Sequence, residues 1–287
     1  MESQKARKEI AGTYIVKNKQ NVAELQRLAM QDRMITASMG GIWPEQTEFT
    51  PRRRVMDIGC GPGGWAIEVA QRYQELSVIG IDINRNFIEY ARKQAESQLL
   101  SERVEFFVMD ALLILEFPVG YFDLVNLRAG SSFLRTWDWS KLLTEARRIA
   151  RRGGVLRITD TEHIHESTSP ALRRFQQMLV CALHQAGHLF TPSSDGLTAR
   201  LPNLLQIHGY QQIQQRPYAL EYRAGTPEGQ AYYEDWSHMF SNFRPFLQKW
   251  GCLTPEYDMI CEQARREMQA PDFQAIWNLL TVWGIAP

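Results

Sequence analysis

Two kinds of apolar pattern alternate along the middle of the chain. Short, nearly continuous apolar runs are separated by segments in which apolar residues recur every three or four positions. The pattern predicts a strand from residue 54, helix 64–73, strand 77–82, helix 85–98, strand 104–109, strand 122–127, helix 138–151 and strand 155–160. Strands that alternate with helices in this way form a parallel, doubly wound sheet.

The flanking segments predict further helices and two more strands. One helix opens at Asn21 and ends at Gly40-Gly41, and another begins at the Ser169-Pro170 cap and runs to about residue 188. The later pattern predicts helix 200–208, an edge strand at 211–222 with a bulge near Pro217, helices 227–249 and 254–269, and a last strand at 273–283. We expect an N-terminal helical cap (1–45), a core (46–165), a helical insert (166–200) and a C-terminal part with the last strands and inserted helices (201–287).

Composition narrows the function classes. The 287 residues include 32 Lys plus Arg and 32 Asp plus Glu, so no net charge attracts nucleic acid or an anionic membrane surface. No apolar run reaches the roughly 20 residues that a membrane-spanning helix needs. Four cysteines without a C-x-x-C pair, and a polar start without an apolar signal core, predict a reduced, cytoplasmic protein.

The segment from Val55 to Trp65 carries the most informative motif. A buried strand runs into Gly59, Gly61 and Gly64, which satisfy G-x-G-x-x-G, and a helix opens directly behind them. Glycine lets a ligand approach the backbone closely, and the free N–H groups at the helix start are electropositive. Asp57 would repel a pyrophosphate, but it can hold the glycine loop or accept a hydrogen bond from a cationic amino group.

Polar residues lie at the ends of the next three strands. Asp82 is placed to accept both hydroxyls of a ribose, Asp110 is placed to contact an adenine amino group, and Asn126 points to the same crevice. Ligands of parallel sheets bind outside the carboxyl ends of the strands. These residues therefore predict a ligand that contains a nucleoside.

These motifs, in this order and at this spacing, resemble the class I S-adenosylmethionine-dependent methyltransferases over residues 53–160. Tyr14, Met39-Gly40-Gly41 and Trp283-Gly284 also resemble bacterial small-molecule members of the menaquinone-methyltransferase type. The resemblance implies an α/β fold with a Rossmann-like, doubly wound, seven-stranded and mostly parallel sheet, an antiparallel last strand, and N-terminal and inserted lid helices. It implies S-adenosylmethionine as cofactor, S-adenosylhomocysteine as product, and these cofactor-binding residues: Tyr14, Asp57, Gly59, Gly61, Asp82, Ile83, Asp110, Ala111 and Asn126.

Methyl transfer needs few reacting side chains, because it is an in-line displacement that alignment of donor and acceptor accelerates. A general base helps when the acceptor is a phenol, a carboxylate or an enol. The polar segment 160–166 offers His163 and His165 as candidate catalytic bases, with a solvated loop as the alternative. His184 and His188 share a helical face, but nothing in the sequence brings them to the other two, and we predict no metal site.

Residues and resemblance together predict an enzyme that methylates a small aromatic or apolar metabolite, with O-, N- and C-methylation all open. The aromatic helices between Tyr232 and Trp250 either pack the core or line the acceptor pocket. We expect no nucleic-acid or membrane partner, and a monomer or homodimer. Two alternatives stay open: a protein of this fold that binds S-adenosylmethionine without methylating, and a nicotinamide-dependent oxidoreductase, against which Asp57 and Asp110 argue.

Overall fold

The computed structural model describes residues 22–45 and 54–287. The helices are α1 (Val22–Ser38), α2 (Gly64–Arg72), α3 (Arg85–Ser97), α4 (Trp139–Ile149), α5 (Pro170–Gln185), α6 (Leu201–Ile207), α7 (Pro227–Asn242), α8 (Arg244–Lys249) and α9 (Tyr257–Met268). The strands are β1 (Arg54–Ile58), β2 (Ser77–Asp82), β3 (Val104–Val108), β4 (Phe122–Arg128), β5 (Ala150–Thr161), β6 (Glu166–Ser167), β7 (Gln211–Arg223) and β8 (Gln274–Ile285). In this part of the chain, no helix is both long and apolar enough to cross a membrane.

The described strands form one sheet in the order β3-β2-β1-β4-β5-β8-β6, with β7 also paired to β8. Strands β1 to β5 are parallel, and β8 runs antiparallel between β5 and β7. The predicted doubly wound, mostly parallel fold with an antiparallel last strand is therefore confirmed. The eighth strand is the two-residue β6, which the apolar pattern does not predict.

Helices cover both faces of the sheet. Because side chains alternate along a strand, Met56 and Val125 face the larger core, which includes apolar residues of α4, α5 and α7. Val55 and Leu124 face the smaller core against α2 and α3. Burial on both faces explains why these strands are nearly continuous apolar runs in the sequence.

Two local expectations are wrong. The bulge in β7 lies between Gln211 and Gln214 rather than near Pro217, which pairs in register with Leu280. Proline fits there because β7 pairs only with β8 among the described strands, so one side of it needs no N–H donor. The predicted helix 227–249 is two helices, since α7 ends at Asn242 and α8 starts anew with a proline in its first turn.

The cysteines also differ from the expectation of four reduced thiols. Cys181 of α5 and Cys252, which follows α8, form a disulfide with Cα atoms 6.1 Å apart. Cys60 and Cys261 are free and buried. The disulfide ties the helical insert to the C-terminal helices, a link that chain spacing alone does not reveal.

Reduction of this disulfide is expected to lower the free energy of unfolding by about 2–4 kcal/mol, because the bond closes a long loop between residues 71 positions apart. Urea unfolding with and without dithiothreitol measures the difference. A Cys181→Ser variant serves as the control, since its stability should not respond to the reductant. Equal stability of the wild-type protein in both conditions would contradict the prediction.

Candidate functional site

A cavity of ≈ 290 Å³ opens at the carboxyl ends of the parallel strands. The segments that follow β1 to β5 form one side of it, and residues of α1, α5, α7 and β8 form the other. Ligands of parallel sheets bind at this edge, outside the carboxyl ends of the strands. The crevice predicted from the strand ends is therefore present, and helices from the N-terminal cap and from the insert cover it.

The glycine loop between β1 and α2 lines the cavity. Gly61 has a φ of 54°, and a Cβ added to it would meet no atom of the described residues within 4 Å. A Cβ added to Gly64, the first residue of α2, would collide with the carboxylate of Asp32 from α1. Glycine at these positions keeps the loop open to a ligand and lets α1 pack against the start of α2.

Asp82 ends β2 and braces the glycine loop. Its Oδ2 accepts a hydrogen bond from the backbone N–H of Gly61 at 3.0 Å, and its Oδ1 accepts one from that of Asn84 at 2.7 Å. An ionised carboxylate has about four acceptor positions, so Asp82 can also accept from a ligand. The next residue, Ile83, lines the cavity as well.

Asp110 and Ala111 line the cavity just beyond β3, next to Phe87 and Met109. Asp110 Oδ1 accepts a hydrogen bond from the backbone N–H of Leu112 at 2.9 Å, which fixes the turn. These residues add an apolar surface and a carboxylate to the cavity wall.

Asp57 is a buried carboxyl at 3% exposure, and it lies on the cavity wall. Burial raises its pKa to about 7, and Asp32 adds to the rise. Arg128, Arg157 and a hydrogen bond from Asn126 act in the opposite direction. Asp57 therefore changes its charge near neutral pH, unlike an ordinary aspartate.

Asn126 does not line the cavity, contrary to the expectation that it contacts the cofactor. Its side chain is fully buried within the sheet. Its Nδ2 donates to Asp57 Oδ1 at 2.8 Å, and its Oδ1 accepts from Arg157 Nη1 at 2.8 Å. In a central strand the nearest partners of a side chain are its lateral neighbours, so Asn126 supports Asp57 instead.

The N-terminal cap reaches the site through α1. Arg128, at the end of β4, forms an ion pair with Asp32 and donates a hydrogen bond to Thr36 Oγ1 at 3.2 Å. These contacts hold α1 against the strand ends. Tyr14, the predicted lid residue, lies outside the described residues.

A buried ion network, which the sequence analysis does not anticipate, joins α1 to α7. Arg27 Nη2 lies 2.8 Å from Glu24 Oε1, and Arg27 Nη1 lies 2.7 Å from Asp235 Oδ1. Gln31 Nε2 donates to Asp235 Oδ2 at 2.9 Å. Glu24 and Arg27 share a face of one helix, which the sequence does show, but their partner is 208 positions from Arg27. Arg27, Gln31 and Asp235 all line the cavity.

Another part of the cavity wall is apolar and comes from α5, α7, β8 and the start of α8. Its members are Leu179, Leu183, Trp236, Met239, Phe243, Trp277 and Leu279. Tyr232 and Phe240, by contrast, are fully buried in the core and do not line the cavity. Some aromatic residues of these helices therefore pack the core, and others line the cavity.

The structure distinguishes the two candidate histidines. His165 is buried, its Nδ1 lies 2.7 Å from Tyr232 Oη, and its ring stacks on Trp277 at 4.8 Å between centroids. His163 lines the cavity, and its Nε2 has no hydrogen-bond partner in the described part of the chain. Burial lowers the pKa of His163 to about 4 and holds that of His165 well below its ordinary value. Both rings are neutral at pH 7, and both residues line the cavity.

Segment 160–166 is partly buried rather than a solvated loop. Asp160 is almost fully buried and accepts hydrogen bonds from the backbone N–H and the hydroxyl of Ser131 at 2.9 and 2.6 Å. Across residues 22–45 and 54–287, no group of three or more His, Cys, Asp or Glu side chains could hold a metal ion.

Comparisons with known proteins find methyltransferases. Residues 55–154 match the family model described as a methyltransferase domain. Ajmaline N-methyltransferase of Rauvolfia serpentina is 34% identical over 129 residues, which cover 45% of this chain and 42% of that protein. Demethylmenaquinone methyltransferase of Deinococcus radiodurans is 35% identical over 104 residues, which cover 36% and 41%. The chain therefore spans less than half the length of each of these two relatives.

A solved structure shows the same fold over more of the chain. Geranyl diphosphate C-methyltransferase from Streptomyces coelicolor A3(2), in complex with Mg²⁺, geranyl diphosphate and S-adenosyl-L-homocysteine, superposes with a TM-score of 0.53 and 11% identity, covering 95% of this chain and 87% of that one. At this identity the likeness shows the fold alone. Together the matches confirm the resemblance to methyltransferases, demethylmenaquinone methyltransferases among them, that the motifs indicate.

Proposed function

We propose that this chain, whose residues 55–154 match a methyltransferase domain, transfers a methyl group from S-adenosylmethionine to a small apolar or aromatic acceptor. The observation that carries the proposal is one cavity in which the glycine loop, Asp82 and Asp110 lie beside an apolar wall from α5, α7 and β8. A nucleoside site and an apolar pocket thus adjoin. In-line transfer requires this arrangement, because donor and acceptor must be held together.

The residues present fit the cofactor. Asp82 would accept the ribose hydroxyls, Asp110 and Ala111 would hold the adenine, and Asp57 would accept a hydrogen bond from the cationic amino group, with open space above Gly61 for the chain between them. Gly59, Ile83 and, outside the described residues, Tyr14 complete the proposed set. When bound, S-adenosylmethionine supplies an electrophilic methyl group whose leaving group is a neutral thioether.

His163 is the better candidate of the two predicted bases. Its unpartnered Nε2 can accept a hydrogen bond from an O–H or N–H of the acceptor and orient the attacking lone pair. His165 is engaged by Tyr232 and Trp277, so we assign it to the shape of the acceptor wall.

Charges on the described wall favour a neutral or cationic acceptor. Its carboxyl groups belong to Asp32, Asp57, Asp82, Asp110, Asp160, Glu162 and Asp235. Its two arginines, Arg27 and Arg128, are each paired with a carboxylate. A buried anion without a free cation is costly. An acceptor such as the geranyl diphosphate of the structural neighbour is therefore disfavoured, although the fold is the same.

We assign a role to each part of the chain from the residues that it contributes to the cavity wall. We assign the cover of the cofactor to the N-terminal cap (1–45) and the acceptor lid to the insert (166–200) with the C-terminal helices (201–287), around the core (46–165). The enzyme would act on a small molecule, without nucleic acid, as a monomer or a homodimer. The Cys181–Cys252 disulfide argues against the reducing cytoplasm that the cysteine spacing predicts.

Titration calorimetry with S-adenosylmethionine, S-adenosylhomocysteine and NADH tests the cofactor first. Binding of the first two alone supports the proposal, and binding of NADH would favour the oxidoreductase alternative. Formation of S-adenosylhomocysteine is then measured with an aromatic amine, a phenol, and geranyl diphosphate with and without Mg²⁺. Cofactor binding without turnover on any member of a broadened panel would favour the alternative of a protein that does not methylate.

Tryptophan in place of Met239 is expected to raise the KM for the acceptor at least about tenfold, because it fills the apolar pocket. Met239 is half-buried on α7 and lines the cavity. The affinity for S-adenosylhomocysteine, measured by calorimetry, should stay within about twofold, since the acceptor wall is distinct from the cofactor wall. Met259→Trp is the matched control, because Met259 is 63% exposed on α9. The same KM in both variants would place the acceptor elsewhere.

A further inference from the structure

A row of buried polar side chains crosses the sheet on the face that packs against α2 and α3. The strand register pairs Asp57 of β1 with Asn126 of β4, and Asn126 with Arg157 of β5. Side chains at paired positions of adjacent strands point to the same face, so the three polar groups meet in line. They are 3%, 0% and 1% exposed. Two 2.8 Å hydrogen bonds connect them.

The row continues beyond the sheet to Glu45, which follows α1 in the chain. Arg157 Nε forms an ion pair with the carboxylate of Glu45, and both side chains are buried. Tyr218 Oη, from β7, donates a hydrogen bond to Glu45 Oε2 at 3.0 Å. A continuous network therefore links the cofactor wall at Asp57 with the end of the N-terminal cap.

Several charged and titratable groups face Asp57 from the elements around it. They are Arg128 from β4, Asp32 from α1, Arg157 from β5 and the thiol of Cys60 in the glycine loop. The positive charge of Arg157 favours the ionised carboxylate, and because Glu45 is paired with Arg157, we expect its negative charge to offset part of that effect. The contact between Glu45 and Arg157 therefore bears on the charge of Asp57.

We propose that Glu45 and Arg157 are positioning residues, which act through Asn126 to hold Asp57 and to set the pH range in which its carboxylate accepts the amino group of the cofactor. This inference rests on the proposed function. This contact would couple the cap to the cofactor site. If Glu45 moved away from Arg157, the positive charge of Arg157 would act on the carboxylate of Asp57 without an opposing negative charge.

Two readouts test the proposal, and one of them needs no ligand. The first is the free energy of urea unfolding from about pH 5 to about pH 8.5, taken as the difference between wild type and Asp57→Asn. Because the pKa of Asp57 is raised from 3.8 to about 7, the folded state binds more protons in that window. Stability should fall as pH rises through the window and level off above it. The second is the affinity for S-adenosylhomocysteine, which should rise by up to about tenfold per pH unit and level off near the same pH.

Glu45→Gln removes the negative charge but keeps an amide oxygen that can accept from Arg157, so the variant should fold and both midpoints should move about 0.5–1 pH unit lower. Arg157→Gln alone would leave Glu45 buried and unpaired and could prevent folding. It is therefore made in the double variant Glu45→Gln/Arg157→Gln, in which loss of the positive charge should return the midpoints to higher pH than in the single variant. General loosening of the packing would instead admit water and lower both midpoints.

An unchanged midpoint in Glu45→Gln, or a further downward shift in the double variant, would overturn the proposal. Failure of S-adenosylhomocysteine to bind, with the expected shifts in the ligand-free readout, would overturn the proposed function but support the linkage between Glu45 and Asp57. The two failures are thus distinguishable.

Discussion

Asp82→Ala is expected to lower the affinity for S-adenosylhomocysteine by about 10²- to 10⁴-fold. Two hydrogen bonds from ribose hydroxyls to a carboxylate contribute roughly 1.5–3 kcal/mol each, and alanine removes both acceptors. Alanine also releases the backbone N–H groups of Gly61 and Asn84, which Asp82 holds at 3.0 and 2.7 Å, so the glycine loop loses its brace. Calorimetric titration of the folded variant measures the loss.

Glu105→Ala is the matched control for this experiment, because Glu105 is an exposed carboxylate on the neighbouring strand β3. Its affinity should equal that of the wild type. The affinity of Asp82→Asn should lie between those of Asp82→Ala and Glu105→Ala, since the amide keeps one acceptor oxygen but has no charge. Retention of affinity within about threefold in Asp82→Ala would refute the assignment of Asp82 to the ribose.

His163→Ala is expected to lower kcat about 10²-fold while the affinity for S-adenosylhomocysteine is preserved. His163 lines the cavity and its Nε2 has no partner among the described residues, so the variant would remove the hydrogen bond that we propose to the O–H or N–H of the acceptor. With a pKa of about 4, His163 is already neutral at pH 7. The wild-type rate should therefore be independent of His163 titration above about pH 5 and should fall as pH decreases through about 4.

His238→Ala is the control for this variant, because His238 is exposed on α7 and should have wild-type turnover. His165→Ala should differ from both, with a lower thermal midpoint, because it removes the partner of Tyr232 and the stacking on Trp277. Wild-type kcat in His163→Ala, with the acceptor identified by the panel, would exclude a base role for this residue.

The side of the cavity at the ends of β1 to β3, which we propose binds the cofactor, is the part of the candidate site that the sequence predicts best, because its signals are local. Gly61, Asp82 and Asp110 each lie at the end of an apolar run, and parallel strands bring such ends to one edge. Asn126 also lies near the end of an apolar run, but its side chain does not reach the cavity. It bonds instead to Asp57 and Arg157 of the neighbouring strands. The order of strands in the sheet, rather than the order along the chain, decides its role.

The proposed acceptor wall depends on packing between distant segments, so the sequence does not predict its detail. Asp235 meets Arg27 only because α7 packs against α1. The aromatic residues of α7 look alike in the sequence, yet Trp236 lines the cavity and Phe240 does not. Helical periodicity identifies the buried face of such a helix, but it does not identify which part of that face borders a cavity.

The position of β8 has a consequence for synthesis of the protein on the ribosome. This strand lies between β5 and β7, although it follows both of them in the described part of the chain. Until residues 274–285 have left the exit tunnel, β5 is an open edge whose apolar residues, such as Leu156 and Ile158, lack their final neighbours. Unpaired apolar edges favour aggregation. Premature termination before this point would therefore release a chain in which β1 to β5 are complete but β5 is an unpaired apolar strand, a surface of the kind that molecular chaperones bind.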